Sequence, residues 1–259
     1  MNATMMRALL WSGIPYNVTE KLPETNNSTQ HRCDRPIPGY LIDHEATGYV
    51  AEVGEGVNFL SVGDYVVIPD RIDDGHLIMD PETYTAYGQP GLPGSQSEYV
   101  RVPYADHGLV PIPSSNGTES LVDYLFLSDI FPTAWTALDY AGFQPGDMVA
   151  IFGENAVLQN MINVTSINGG LGVAGVYHVY MPEAYDLPIS IGALWAKALT
   201  LASGAVNPMI ELPNLAGMIT SGKARPSFII SSNISIEDAP EYYARFGQHR
   251  EAKVVTRFP

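Results

Sequence analysis

His44 and Glu45 stand side by side in the stretch Gly39-Tyr-Leu-Ile-Asp-His-Glu-Ala-Thr-Gly48. An imidazole next to a carboxylate is sufficient for proton transfer in a cleft. The same pair would also serve as a hydrogen-bonded brace between two strands, because buried polar groups must be paired whether or not they catalyse. The single cysteine, Cys33, lies eleven residues before His44; it excludes an internal disulfide framework and fits a reducing compartment. Gly170-Leu-Gly-Val-Ala-Gly175 spells a dinucleotide fingerprint, whose chemistry is phosphate binding at a helix start. Here Val176–Tyr180 reads as a strand and Pro182 follows, so the glycines are expected to form a turn before a buried strand.

The elements that must hold these groups begin with the stretch itself. From Gly39 to Pro69, apolar and β-branched residues alternate with small or acidic ones, and Gly54, Gly56 and Gly63 interrupt them, which predicts short strands joined by tight turns. Met6–Trp11 reads as a first strand, Glu20–Asp34 as a polar loop, and Ser97–Asp106 and Leu109–Pro113 as further strands. Glu119–Gly142 carries the period of one helix. With 259 residues, 46% of them hydrophobic, the chain has ample material for a core, and no apolar run approaches a membrane span. Its formal charge of −15 argues against nucleic acid or an anionic membrane surface as partner. No signal peptide is read at the start, and a cytoplasmic location is expected.

His44-Glu-Ala-Thr-Gly48, Glu52-Val-Gly54 and Val62-Gly-Asp-Tyr-Val-Val67 together resemble the catalytic domain of zinc-dependent alcohol dehydrogenases in the medium-chain dehydrogenase/reductase superfamily. The resemblance implies that His44 is a ligand of a catalytic zinc and that Glu45 sits beside the metal. Leu127-Ser-Asp-Ile-Phe-Pro-Thr133 is similar to the formaldehyde-dehydrogenase-like branch, which implies a zinc-ligand role for Asp129 and a place near the nicotinamide for Thr133. Gln144–Gly153 looks like the turn and first strand of a nucleotide-binding domain, with Gly153 a remnant of its glycine turn. The implied architecture is α/β: a GroES-like β-rich catalytic domain over 1–120, with residues 237–259 returning to it, and a shortened Rossmann-like domain over 121–236.

Four departures from the family bear on function. The family's structural-zinc lobe carries four cysteines and this chain has none there; Cys33 lies too close to His44 to match the family's remaining zinc ligand. Glu154-Asn-Ala-Val-Leu158 replaces the glycines that would let backbone amides approach a pyrophosphate, and several central βα units are missing. The expectation drawn from these gaps is a truncated, degenerate scaffold without cofactor. It would have lost NAD(P) hydride transfer and would use His44, Glu45 and Asp129 for isomerisation, dehydration or cyclisation of a small apolar, secondary-type metabolite. Two alternatives stay open: a zinc-dependent NAD(P) alcohol or aldehyde oxidoreductase with His44 and Asp129 on the metal, and a non-catalytic remnant or binding protein. Self-association is compatible with each.

Overall fold

A computed structural model describes residues 6–11, 17–21, 40–72, 86–88, 92–112, 117–152, 157–174 and 189–258. The chain packs as two units, Met1–Asp129 with Pro213–Pro259, and Ile130–Leu212.

In the first unit, β1 (Met6–Trp11) pairs antiparallel with β2 (Asn17–Lys21) and with β3 (Tyr40–Leu41). β4 (Ala46–Tyr49) and β5 (Tyr65–Ile68) form an antiparallel hairpin running from Ala46↔Ile68 to Tyr49↔Tyr65, and β6 (Val110–Pro111) adds to the other side of β5. From Tyr40 to Pro69 the stretch thus folds as its alternation predicts. Gly63, at φ 95, takes a left-handed turn that few other residues tolerate, and its amide closes the hairpin on the Val50 carbonyl. β5, with a neighbour on each side, buries Val66, Val67 and Ile68. Ile68, Tyr87 and Leu92 make one core cluster with Ala46, Ile72, Val100, Val102 and Leu109 around it. The strand expected over Ser97–Asp106 does not form. Tyr104 is left-handed at φ 51, directly after Pro103, and the chain then turns into the short helix α1 (Ala105–Gly108).

The single helix expected over Glu119–Gly142 is three elements: α2 (Gly117–Leu125), a 3₁₀ turn over Phe126–Ser128, and α3 (Ile130–Tyr140). Pro132 explains the break, because it has no N–H to donate to the carbonyl of Ser128 and its ring crowds that carbonyl. The Ser128 carbonyl accepts from the Asp70 amide instead, at 2.9 Å. Asp129 falls in the gap, with φ −155 and ψ −67.

The second unit carries α3, α4 (Val157–Val164), β7 (Gly170–Val173), α5 (Ile191–Lys197) and β8 (Thr200–Ser203). β7 and β8 are parallel, from Gly170↔Thr200 to Val173↔Ser203. Gly170 and Gly172 are therefore in a strand, where a turn was expected. A Cβ on them would meet the carbonyl oxygens of Ala141 and Ala137 at 1.8 and 1.9 Å, so the glycines let the strand lie directly on the end of α3. Lys197 Nζ donates to the carbonyls of Ile162, Asn163 and Thr165 and so satisfies the C-terminal end of α4. The strand expected after Gln144 does not form over Met148–Phe152; these residues are irregular and solvent-exposed, with no paired strand beside them among the described residues.

α6 (Pro208–Thr220) leads back, from Pro213 onward, into the first unit. There β9 (Ser232–Ser235), α7 (Ala239–Gly247) and β10 (Val254–Arg257) form a parallel crossover, with Val254↔Ser232 in register. Ile234, Ile236 and Ala239 are its core, packed against Ile42, Tyr242, Tyr243, Val254 and Phe258. Among the described residues no helix is long and apolar enough to cross a membrane.

Candidate active site

His44 lies between β3 and β4, and Asp129 in the gap before α3. The buried Phe126 and Leu127 anchor the 3₁₀ turn from which Asp129 projects; fully burying side chains of this size is worth about 1.5–3 kcal/mol each. His44 Nε2 and Asp129 Oδ2 are 3.0 Å apart. That hydrogen bond holds the imidazole's pKa up at about 9 against the opposing cost of burial, and the negative charges of Asp129, Asp43 and Asp70 add to it. The pair is therefore an imidazolium and a carboxylate at neutral pH.

Glu45 points to the opposite end of the chain. One of its oxygens, Oε2, is paired with Lys253 Nζ just before β10, and the ammonium lies 6.0 Å from the centre of the Phe126 ring. The other oxygen, Oε1, is buried and has no hydrogen-bond partner among the described residues. Burial raises the Glu45 pKa, opposed by Lys253, with the charges of Asp43 and Asp129 adding to the rise. Thr133 sits in α3, in the second unit. Gly153 and Cys33 lie outside the described residues.

Three further polar groups carry no signal in the sequence. Asp43, at φ 77, accepts the His44 amide on its own Oδ1 at 2.8 Å. Lys253 is 208 positions from Glu45, a separation that no local pattern reports. Asp70, two residues past β5, is buried, and burial pushes its carboxyl up to about 6, with Arg71 opposing. The native state thus holds the Asp70 proton more tightly than the unfolded chain, so stability is lost as pH rises from about 4 through 6, up to about 3 kcal/mol. Asp70→Asn is expected to raise the melting temperature of the metal-free protein at pH 8 and to make no difference below pH 4. An equal shift at both pH values would show that charge is not the cause.

A catalytic zinc takes three protein ligands. Among the described residues no group of three or more His, Cys, Asp or Glu side chains is arranged around one point. Two donors do fit: on one tetrahedral zinc with bonds of about 2.0–2.1 Å, neighbouring ligand atoms lie roughly 3.3 Å apart, close to the 3.0 Å between His44 and Asp129. An imidazole and a carboxylate are the borderline and hard donors that zinc accepts.

The alcohol dehydrogenase GroES-like domain family matches residues 22–114. A glutathione-independent formaldehyde dehydrogenase of Bacillus subtilis (strain 168) is 27% identical over 84% of this chain and 79% of its own length. A second enzyme of that name, from Pseudomonas aeruginosa (strain LESB58), is 35% identical over 56% of this chain, and the uncharacterized zinc-type alcohol dehydrogenase-like protein AdhB of Bacillus subtilis (strain 168) is 34% identical over 44%. The chain spans 42% and 35% of the length of these two, less than half of either. Among solved structures, the alcohol dehydrogenase TADH from Thermus sp. ATN1 superposes with a TM-score of 0.73 at 21% identity, over 97% of this chain and 100% of that one. The short chain alcohol dehydrogenase (rspB) from E. coli CFT073, complexed with NADH, gives 0.69 at 16%, over 98% and 100%.

These findings correct the expectation of a chain without cofactor. Relatives named as zinc-type dehydrogenases, and a neighbour holding NADH, point to zinc and a nicotinamide cofactor rather than to none. The gaps in the glycine motif were local evidence, and the likeness extends over nearly the whole chain. The scaffold is that of an alcohol or formaldehyde dehydrogenase: residues 22–114 match the alcohol dehydrogenase GroES-like domain, and the fold, a GroES-like domain with a Rossmann-like one, is that of solved alcohol dehydrogenases over nearly the whole chain.

Proposed function

We propose that the protein is a zinc- and nicotinamide-dependent oxidoreductase of a small alcohol or aldehyde. The observation that carries this reading is the His44–Asp129 pair, whose separation suits two ligands of one ion, on a domain shared with dehydrogenases. Bound zinc would supply Lewis-acid polarisation of a substrate oxygen. A bound nicotinamide would accept or give the hydride, and the chain's own residues would hold the ion and the proton. His44 Nε2, once free of its proton, and Asp129 Oδ2 would hold the ion. Glu45, anchored through Oε2 by Lys253, presents Oε1 as the acceptor for a proton inside the site.

The test is the metal content of the purified protein with a calorimetric titration of NAD(H) and NADP(H). About one zinc per chain, saturable cofactor binding and cofactor-linked turnover of short alcohols or formaldehyde are expected. No zinc and no binding at millimolar cofactor would overturn the reading. A second reading, a non-catalytic binding protein, is favoured by the large apolar side chains that the second unit leaves in solvent: Met148, Ile151 and Trp195 are 101%, 92% and 84% exposed. The same titration separates the two.

A further inference from the structure

A left-handed backbone at a residue other than glycine costs about 1–2 kcal/mol, less for Asp and Asn, whose side chains bond locally. Asp43 adopts it at φ 77, immediately before the site imidazole. Both of its carboxylate oxygens are engaged. Oδ1 accepts the His44 amide at 2.8 Å, and Oδ2 accepts Gln96 Nε2 at 2.9 Å. Gln96 Oε1 in turn accepts the hydroxyl of Tyr243, on α7, at 2.8 Å. The backbone is clamped as well: the Asp43 carbonyl accepts from the Ser95 amide at 3.0 Å and the Ile42 carbonyl from the Gln96 amide at 3.3 Å. On the other side Gly88 comes so near that a Cβ on it would lie 3.3 Å from the Asp43 backbone.

We propose that Asp43 is the positioning residue of this site, holding the turn that aims His44 Nε2 at Asp129, and that Gln96 and Tyr243 hold Asp43 in that role. Asp43 meets His44 at its backbone amide. Tyr243 packs in the β9–α7–β10 core, so the aim of His44 is set from the far end of the sequence through a hydroxyl, an amide and a carboxylate. Two discrete hydrogen bonds on one carboxylate fix both the rotation of the Asp43 side chain and the peptide that follows it. The metal-binding part of the inference rests on the reading of His44 and Asp129 as zinc ligands; the aiming part does not.

Asp43→Gly tolerates the left-handed backbone but removes both carboxylate bonds. Asp43→Asn keeps an oxygen for the His44 amide, and its NH₂ donates to Gln96 once that amide turns over. Tyr243→Phe and Gln96→Leu cut the chain further out. The readouts are the His44 Nε2 to Asp129 Oδ2 distance in crystals of the metal-free variants, the zinc dissociation constant by chelator competition, and the melting temperature. D43G is expected to move His44 out of hydrogen-bond reach of Asp129 and to weaken zinc binding about 10–100-fold, with little change in melting temperature. D43N is expected to restore most of the affinity. A D43G crystal that keeps the wild-type distance, with wild-type affinity, overturns the proposal. If D43G does not fold, Y243F and Q96L decide: weaker zinc at an unchanged melting temperature supports it, and unchanged affinity in both overturns it. Wild-type protein that binds no zinc would sink the function proposed above, while the metal-free distances would still decide whether Asp43 aims the imidazole.

Discussion

His44→Ala and Asp129→Ala are each expected to purify without zinc and to lose roughly 10³-fold in kcat/KM, because a bound metal contributes several kcal/mol of transition-state stabilisation and each 1.36 kcal/mol is tenfold in rate. The two losses should not add: once either ligand is gone the site is empty, and the double variant should be no worse than the single ones. Metal analysis and steady-state kinetics on all three proteins check this. Full zinc occupancy in Asp129→Ala would mean that this carboxylate only orients the imidazole. Additive losses in the double variant would show that the residues act separately.

The second large effect falls on a glycine that performs no chemistry. A Cβ on Gly94 would sit 2.0 Å from the Ile42 carbonyl oxygen and 2.2 Å from its carbon, both backbone atoms that cannot turn aside. The Gly94 amide also donates to the Leu41 carbonyl at 3.1 Å, so the two segments are fastened at the point where they touch. Gly94→Ala is expected to cost at least about 3 kcal/mol, at the upper end of overpacking substitutions, and to lower the melting temperature by roughly 6–12 °C for a chain of this size. Because Ile42 directly precedes Asp43, zinc affinity should fall together with stability. Calorimetric melting with a chelator competition assay checks both, and a variant with unchanged melting temperature would show that the two segments separate at little cost.

Much of the first unit was legible in residue order. The alternation through Ala46–Ile68 and the glycines at its turns report a local geometry, and the hairpin follows them. The break at Asp129 was missed, because the apolar period suggests one continuous helix and takes no account of Pro132, which ends it. Gly170 and Gly172 misled because glycine marks either a turn or a close backbone approach, and only the position of α3 decides between them. Lys253 and Tyr243 left no trace in the local pattern, since contacts across 208 and 147 positions carry no periodicity. The gaps in the nucleotide motif are gaps, but they do not amount to loss of cofactor. A missing glycine removes one means of approaching a phosphate, and it does not establish what the whole scaffold binds.

The pairing of Glu45 with Lys253 has a consequence for the order in which the protein comes together during synthesis. Translation proceeds at about 5–20 residues per second, so some 10–40 s separate the appearance of the carboxylate from that of its ammonium partner 208 positions later. In that interval Glu45 is either solvated or protonated, and the wall of the site that carries Lys253 does not yet exist. The N-terminal hairpin can form early, from contacts near in sequence, whereas closure around Glu45 awaits the β9–α7–β10 crossover. On the ribosome, the early hairpin and the closure around Glu45 are thus two separate acts.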